Sequence, residues 1–280
     1  MMSNYKYYTV LKPILVTGGM ILNLMRGKVT NQPKESDLPP ELIKESSTAH
    51  TEIDDFVQDI ALEILHSSLH DVGINAEEVT DRVKWFKQDK TGLCFHLDPL
   101  DGTLAYTKNR SDFAIGVALS DKLTFIASGI YFPAVDRLFY AEKGKGVLVT
   151  NSLGEKISFK RPSSPEKKYA QKRCDQYVNI LEKLGFTKLD SMSAHHSMIS
   201  ILEGKAAIQM YHMASPHDFG IPQLILEEAG GVCTDLEGKP IKYDPDFNRV
   251  PYFLAFFDTK IKDLFFKEIK RSNTSLIKKS

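Results

Sequence analysis

Two aspartates stand three residues apart at the end of an apolar run, in the segment His96-Leu-Asp-Pro-Leu-Asp-Gly-Thr103. Asp98 and Asp101 repel each other when both are charged, so the pair is costly unless a cation lies between them. Carboxylate oxygens favour magnesium, calcium or manganese over zinc. Gly102 lets the backbone approach a ligand, and amides at the start of a helix suit a phosphate. The segment predicts a metal and phosphate site, or else a turn with two solvated aspartates.

Two other acidic segments are weaker indications when each is taken alone. Glu77 and Glu78 are adjacent and precede the apolar run, which is typical of exposed loop glutamates. Asp218 lies near the start of a predicted helix, where the helix dipole favours an aspartate. Gly230 and Gly231 end that helix, which is a structural use of glycine. Neither segment predicts chemistry by itself.

The elements before the acidic segments are predicted from apolar spacing and capping residues. A first helix is expected over Tyr5–Lys28, and a polar stretch with three prolines, Thr30–Thr48, is expected to be a loop or flap. A second helix is expected from Thr51 to Leu69. Thr51 is its predicted N-cap, and Asp54 three residues later makes a near capping box.

Short apolar runs and short connections predict an antiparallel sheet in the first half of the chain. Its strands are expected at Leu93–Leu97, Phe113–Leu119, Leu123–Phe132, Arg137–Glu142 and Val147–Val149. The second half alternates between the two kinds of element, which predicts a sheet covered by helices. Its helices are expected at Lys167–Leu184, Ser193–Glu203, His217–Ala229 and Thr259–Lys270, and its strands at Ala206–Met210, Val232–Asp235 and Tyr252–Phe257.

Length and composition exclude several classes of protein. The chain has 280 residues, of which 42% are hydrophobic, and its 36 basic residues balance 36 acidic ones, which argues against disorder and against general nucleic-acid binding. Cys94, Cys174 and Cys233 are widely spaced, so a disulfide framework is not expected. The apolar run Ile14–Met25 is short and interrupted by polar residues, which argues against a membrane span or signal peptide. A cytoplasmic protein is therefore expected.

Four segments together resemble the inositol monophosphatase superfamily, whose members are magnesium-dependent, lithium-sensitive phosphatases. In chain order they are Thr51-Glu-Ile-Asp54, Glu77-Glu78, Asp98-Pro-Leu-Asp-Gly-Thr103, and Asp218 with Glu228-Ala-Gly-Gly231. The resemblance implies an α/β (α+β) fold of the sugar-phosphatase type, a layered sandwich of alternating helices and sheets. It is expected to form one globule with an N-terminal lobe, 1–155, that carries most metal ligands and a C-terminal lobe, 156–280, that completes the site.

The resemblance also implies roles for individual residues. The metal ligands would be the carboxylates of Glu77, Asp98, Asp101 and Asp218 and the backbone carbonyl of Leu100. Gly102 and Thr103 would hold the phosphate through backbone amides, and Thr103 and Glu77 would orient the attacking water. Asp54 would fix that water or a weakly held metal. Two or three Mg²⁺ ions, or Mn²⁺ in their place, would activate the water without a covalent nucleophile. The histidines expected to be structural or peripheral are His50, His195, His196 and His212.

The substrate is less closely defined, because three positions depart from the superfamily pattern. Ala76 stands where a glycine is common, His217 where a tryptophan is usual, and Tyr211 about where inositol-specific members carry a glutamate. Tyr211 and His217 are expected to line the leaving-group pocket, with an aromatic face from the tyrosine and a positive charge from the histidine. Inositol monophosphate is the first candidate substrate, and adenosine 3',5'-bisphosphate and a sugar bisphosphate follow. A non-catalytic metal- or phosphate-binding protein is the alternative of another class, and a homodimer is implied by the resemblance alone.

Overall fold

The computed structural model describes residues 5–277. The helices there are α1 (Tyr8–Met25), α2 (Glu45–Thr48), α3 (Glu52–Ser68), α4 (Thr103–Thr107), α5 (Val178–Lys183), α6 (Ala194–Leu202), α7 (Pro216–Glu228) and α8 (Thr259–Ile277). The strands are β1 (Gly73–Ala76), β2 (Cys94–Asp101), β3 (Ala114–Asp121), β4 (Thr124–Phe132), β5 (Arg137–Glu142), β6 (Val147–Thr150), β7 (Lys168–Lys172), β8 (Thr187–Lys188), β9 (Ile208–Ala214), β10 (Val232–Thr234) and β11 (Val250–Phe256). Short 3-10 helices lie at Pro40–Leu42, Asp81–Trp85, Pro133–Val135 and Asp175–Tyr177.

The strands form two sheets. The first has the order β1-β2-β3-β4-β5-β6, in which β1 runs parallel to β2 and each later neighbour is antiparallel. The second has the order β10-β11-β9-β7-β8, in which β7 is parallel to both of its neighbours. The short connections between β2 and β6 produce the antiparallel meander that the sequence predicts.

Helices and sheets alternate in five layers. Helices α1 and α3 bury their apolar faces on one side of the first sheet. Helices α6 and α7 lie between the two sheets, since their residues share a core with β4, β5, β9 and β11. Helices α5 and α8 cover the outer face of the second sheet. The predicted layered α/β sandwich is therefore confirmed.

One predicted helix, Lys167–Leu184, is wrong. Its first part is strand β7, and only Val178–Lys183 is α-helical. Tyr169 and Ala170 are buried because β7 pairs with β9, which lies far along the chain, and this long-range pairing overrides local spacing. Strands β1 and β8 were not predicted, β9 extends beyond Met210, and the last helix continues to Ile277.

Helix α1 is long and apolar enough, by length and composition, to cross a membrane. It is longer than the interrupted run Ile14–Met25 that argued against a span. Such a helix near an N-terminus is weak evidence, because the core helix of a soluble protein passes the same test. Here Leu11, Ile14, Leu15 and Leu22 pack into the core against the first sheet.

Candidate active site

One cleft brings together most of the residues that the sequence singles out. It is lined by Glu77, Asp98, Leu100, Asp101, Gly102, Thr103, Tyr211 and Asp218. Asp54 lies directly behind this lining, with Oδ1 3.0 Å from Oγ1 of Thr103. His217 instead lines a neighbouring groove. Residues that are up to 164 positions apart in the predicted set therefore converge on one place in the fold.

The two aspartates of β2 are positioned by an irregularity in the sheet. Asp98 pairs with Gly116 and Asp101 with Ala114, and the register between β2 and β3 shifts between these pairs. Such a bulge bends a strand and re-aims its side chains. The amide of Leu100 donates a 3.1 Å hydrogen bond to Oδ1 of Asp98, which orients that carboxylate. Both carboxylates consequently face the cleft although β2 is buried along its whole length.

The N-terminus of α6 holds the second aspartate. The amide of Ala194 donates to Oδ1 of Asp101 at 3.0 Å, and the amide of His195 donates to Oδ2 at 3.0 Å. The hydroxyl of Ser193, which is the N-cap of α6, also donates to Oδ2. A helix start, where the dipole favours an anion, therefore holds Asp101, although burial still raises the pKa of this carboxyl above its ordinary value.

Asp98 has a different environment. Its Oδ2 atom is buried and has no hydrogen-bond partner among residues 5–277. Burial, together with the charges of Glu77 and Asp101, raises the pKa of Asp98 well above its ordinary value. A buried carboxylate oxygen that faces other carboxylates is costly unless a cation binds it. The donor set therefore fits a hard divalent cation.

Gly102 joins these aspartates to the short helix α4. Its φ of +81° is left-handed, and a Cβ there would lie 2.8 Å from the carbonyl oxygen of Asp112. A side chain is therefore excluded by backbone conformation and by space. The next residue, Thr103, places Oγ1 3.0 Å from both Oδ1 of Asp54 and the carbonyl oxygen of Leu100.

Asp54 is fixed by the start of α3. Thr51 and Asp54 form the capping box that the sequence nearly predicts, with the amide of Thr51 donating to Oδ2 of Asp54 at 2.9 Å. The hydroxyl of Thr51 donates to the same oxygen at 2.7 Å. Burial nevertheless raises the pKa of Asp54 to about 6, because these hydrogen bonds only partly offset the lost hydration.

The two adjacent glutamates differ in exposure, so the expectation of two exposed loop residues is wrong for one of them. The side chain of Glu77 is 34% exposed at the cleft, whereas that of Glu78 is 6% exposed. The side-chain amide of Gln58 fixes the backbone of Glu78, donating to its carbonyl at 2.7 Å and accepting from its amide at 2.9 Å. Burial and the neighbouring charge of Glu77 raise the pKa of Glu78 to about 7.

Lys34 was not singled out in the sequence, although it belongs to the predicted flap. Its Nζ atom lies 3.4 Å from Oε1 of Glu77 and also donates to Glu78. Burial opposes its charge, but the two glutamates outweigh burial and raise the pKa of the ammonium. No local signal marks this residue, since one lysine in a polar loop is common.

His195 and Lys172 were also missed. His195 is fully buried, with Nε2 3.9 Å from Oδ2 of Asp98 and Nδ1 3.9 Å from Oδ2 of Asp101, so it lies beside the acidic group and not at the periphery of the fold. Lys172 lines the cleft, yet it lies on β7, which the sequence assigns to a helix. Because the sequence predicts a helix at this position, it gave no reason to place Lys172 in the cleft.

The two pocket residues near Asp218 have different outcomes. Tyr211 lines the cleft, with its ring centroid 3.9 Å from that of Phe219. His217 donates from Nε2 to the carbonyl oxygen of Asn75 at 3.0 Å. Burial lowers the pKa of His217, and the charge of Glu77 only partly opposes this. The positive charge expected on His217 near neutral pH is therefore not supported.

A family model described as the inositol monophosphatase family matches residues 11–256, which is most of the chain. The chain belongs to the inositol monophosphatase family. It is accordingly a phosphatase, and the resemblance seen in four short segments is confirmed over the length of the fold. Small phosphorylated molecules are the substrates that fit this family.

Curated relatives of this family member fall into more than one substrate group. The 3'(2'),5'-bisphosphate nucleotidase CysQ of Salmonella typhimurium is 24% identical over 206 residues, covering 72% of this chain and 82% of the relative. The fructose-1,6-bisphosphatase/inositol-1-monophosphatase of Aquifex aeolicus is 27% identical over 252 residues, covering 84% and 87%. The solved structure of a Thermotoga maritima IMPase superposes with a TM-score of 0.73 at 21% identity, covering 95% of this chain and 99% of that one.

Proposed function

We propose that this family member hydrolyses a small phosphomonoester with Mg²⁺, or Mn²⁺ in its place, held at the cleft. The proposed ligands are the carboxylates of Glu77, Asp98, Asp101 and Asp218 and the carbonyl oxygen of Leu100. The observation that carries the proposal is the unpartnered Oδ2 of Asp98, buried where four carboxylates meet. A solved IMPase/NADP phosphatase of the same fold is complexed with Mg²⁺ and phosphate, which supports the choice of metal. Two or three ions are proposed.

The bound metal supplies charge neutralisation for the phosphate and lowers the pKa of a coordinated water. The chain's own groups supply position. Ser193 and the first amides of α6 hold Asp101, and Asp54 holds the hydroxyl of Thr103. Thr103 and Glu77 orient the attacking water. The amides of Gly102 and Thr103 bind the phosphate. The left-handed backbone and the missing side chain at Gly102 allow a ligand to approach these amides.

Inositol monophosphate is the first proposed substrate, because it is the substrate that gives the family its description. A bisphosphorylated substrate, such as adenosine 3',5'-bisphosphate or a sugar bisphosphate, is the second. A specific observation favours it: Lys172 lines the cleft and forms no ion pair with a carboxylate in the described part of the chain. Burial lowers the pKa of this lysine, and an anionic ligand beside it would favour the charged form. Such a cation suits a second anionic group on the substrate. Two of the curated relatives act on bisphosphates, by their names.

The proposal is tested by measuring phosphate release from inositol 1-phosphate, adenosine 3',5'-bisphosphate and fructose 1,6-bisphosphate. Each assay is run with Mg²⁺, with Mn²⁺ and after removal of metal by EDTA. We expect turnover with either metal and none with EDTA, restored by excess Mg²⁺. Equal turnover in EDTA would contradict the proposed metal chemistry. Absence of turnover on a wide panel, with Mg²⁺ and phosphate still bound, would favour the non-catalytic binding protein.

Three further properties are proposed on the family resemblance. The first lobe, 1–155, would carry most of the metal ligands, and Asp218 would complete the site from the second lobe, 156–280. Inhibition by lithium would follow from a weakly held metal near Glu77 and Asp54. A cytoplasmic location and a homodimer are proposed on the same basis, with no role for nucleic acid or a membrane, and size-exclusion chromatography with light scattering tests the dimer.

A further inference from the structure

His195 is a buried polar side chain that the proposed mechanism does not use. Its exposure is 0%, and the two carboxylates that flank it belong to Asp98 and Asp101. One nitrogen and one oxygen in this group lack hydrogen-bond partners within residues 5–277, namely Nδ1 of His195 and Oδ2 of Asp98. Two buried, unsatisfied acceptors in one group of side chains are unfavourable unless a cation binds them.

The hydrogen bond on the other ring nitrogen defines which form of the imidazole is present. Nε2 of His195 lies 3.1 Å from the backbone carbonyl oxygen of His217. A carbonyl oxygen accepts only, so Nε2 carries the proton and donates. In the neutral ring Nδ1 then carries a free lone pair. Metal-binding histidines in proteins are oriented in this manner, with the second nitrogen donating to a carbonyl or carboxylate.

The fold makes room for the ring at this place. Gly116 lies opposite Asp98 in the sheet, and a Cβ on Gly116 would come within 2.2 Å of Cε1 of His195. Any larger residue at position 116 would displace the imidazole from the aspartates. The imidazole of His195 can occupy this position because Gly116 on β3 has no side chain.

The distances are compatible with a shared ion. One oxygen of each aspartate and one ring nitrogen of His195 lie within 4.8 Å of one another. Nδ1 lies 3.9 Å from Oδ2 of Asp101, whereas the nitrogen 3.9 Å from Oδ2 of Asp98 is Nε2. Two ligands on one transition-metal ion, each at about 2.1 Å, are separated by up to about 4.2 Å. Nδ1 and Asp101 are thus within reach of one ion, and a movement of the ring that brings Nδ1 toward Asp98 would complete the set.

We propose that Nδ1 of His195 is a ligand of a metal ion held by Asp98 and Asp101, so that this site contains nitrogen as well as oxygen donors. The inference deepens the proposed function, because it concerns the metal of the same site. Imidazole suits later transition metals better than magnesium, whereas carboxylates suit magnesium and manganese. The site should therefore bind Mn²⁺, Co²⁺ or Zn²⁺ more tightly, relative to Mg²⁺, than an all-oxygen site would.

The test uses metal alone and requires no substrate. Metal-free full-length protein is loaded with one equivalent of Mn²⁺ and measured by pulsed electron paramagnetic resonance. We expect a ¹⁴N coupling that changes to the ¹⁵N pattern when histidine is isotopically labelled. The coupling should vanish in His195→Ala and His195→Gln. It should persist in His196→Ala, a matched control at the next residue, whose ring nitrogen Nδ1 contacts Ser191 instead of the two aspartates.

Calorimetry gives a second readout. The ratio of Mn²⁺ to Mg²⁺ affinity should fall at least about tenfold in His195→Gln and stay unchanged in His196→Ala. Manganese bound without nitrogen coupling, with an unchanged affinity ratio, would overturn the role of His195 and leave the proposed function intact. Failure of the wild-type protein to bind any divalent metal would overturn both. If His195→Ala does not fold, the labelled wild-type protein and the glutamine variant still decide.

Discussion

The hydroxyl of Thr103 lies 3.0 Å from Oδ1 of Asp54, and this contact joins the first residue of α4 to the first turn of α3. Asp54 is itself held by the amide and hydroxyl of Thr51 through its other oxygen. The capping box of one helix therefore orients the side chain that starts another. The capping interaction at the start of α3 therefore also helps to position Thr103, which is proposed to bind the phosphate.

Removing the hydroxyl of Thr103 should reduce turnover while leaving the fold in place. In Thr103→Val the contact with Asp54 is lost, and we expect kcat to fall by about a hundredfold or more, with a smaller change in KM. Thr103→Ser keeps the hydroxyl and should retain most activity. Thr107→Val, in the same helix, is the matched control because the hydroxyl of Thr107 donates to the Leu104 carbonyl within α4 and not to Asp54. Steady-state kinetics on inositol 1-phosphate checks this, and equal loss in both valine variants would contradict it.

Neutralising Asp98 should nearly abolish activity. Asp98→Asn keeps the shape but removes a charge from the proposed metal site, and we expect kcat/KM to fall by about a thousandfold or more. The metal-free variant should melt at the same temperature as the parent or higher, since a buried charge is relieved. Asp121→Asn, at the exposed end of β3, should change neither quantity. Full turnover by a folded Asp98→Asn protein would be evidence against the site.

The contribution of Asp54 and Glu78 to the stability of the metal-free protein should fall as pH rises from about 4 to about 7, while the buried histidines His96, His196 and His217, whose pKa values are lowered by burial, contribute in the opposite direction. Burial raises the pKa of Asp54 to about 6 and that of Glu78 to about 7, so the folded chain keeps protons that the unfolded chain has already released. The stabilising contribution of these two groups is complete at pH values below their ordinary pKa values. It is lost as the pH rises through their raised pKa values in the folded protein. For Asp54 alone the effect is on the order of 2 to 3 kcal/mol.

Denaturant unfolding at a series of pH values, in EDTA, measures this slope. The comparison with Asp54→Asn isolates the contribution of Asp54, because that variant removes one of the raised pKa values and leaves the histidines in place. Saturating Mg²⁺ should flatten the slope in the parent by favouring the ionised carboxylates. The stability of the parent minus that of Asp54→Asn should fall over this interval, and a difference that stays constant or increases would contradict the raised pKa of Asp54.

Replacing Lys172 should affect bisphosphorylated substrates selectively. In Lys172→Met we expect kcat/KM for adenosine 3',5'-bisphosphate to fall about tenfold or more, because a phosphate loses its partner cation, with a change below about threefold for inositol 1-phosphate. Lys168→Met, on the same strand but paired with Glu166, is the control. An equal loss on both substrates would assign Lys172 to a general role in the cleft.

Lithium should inhibit the enzyme in the millimolar range when Mg²⁺ is limiting. The expectation follows from the family resemblance and from the exposed position of Glu77, where a weakly held metal would exchange readily. Phosphate release is measured against lithium at several magnesium concentrations, with sodium as the matched salt. Undiminished activity in high lithium would show that this member departs from the family in that respect.

Sequence alone predicted the acidic part of the site because its residues are close together in the chain. Asp98, Asp101 and Gly102 lie within one short turn, so their spacing already limits their geometry. Lys34 and His195 reach the same place through loops and helices whose packing depends on distant strands. Their residue types carry no local pattern, and only the folded chain brings them to the carboxylates.

The missed strand β7 illustrates the same limit. The strand Lys168–Lys172 is short and mixed in polarity, and helix α5 follows it. The apolar spacing of this segment therefore fits one longer helix as well as it fits a strand followed by a helix. The strand exists because β9 supplies hydrogen bonds from a segment far along the chain. Capping residues such as Thr51, in contrast, act within one turn, and the start of α3 is correctly predicted.

The acidic groups at the cleft come from two neighbouring layers of the fold. Asp98 and Asp101 end a strand of the first sheet, while Asp218 lies in the first turn of α7, which packs between the two sheets. A cation bound by all three would therefore act as a cross-link between neighbouring layers, absent from the unfolded chain. Partial opening of either layer would have to break metal bonds first, so local fluctuations at the two ends would become coupled in a single cooperative unit.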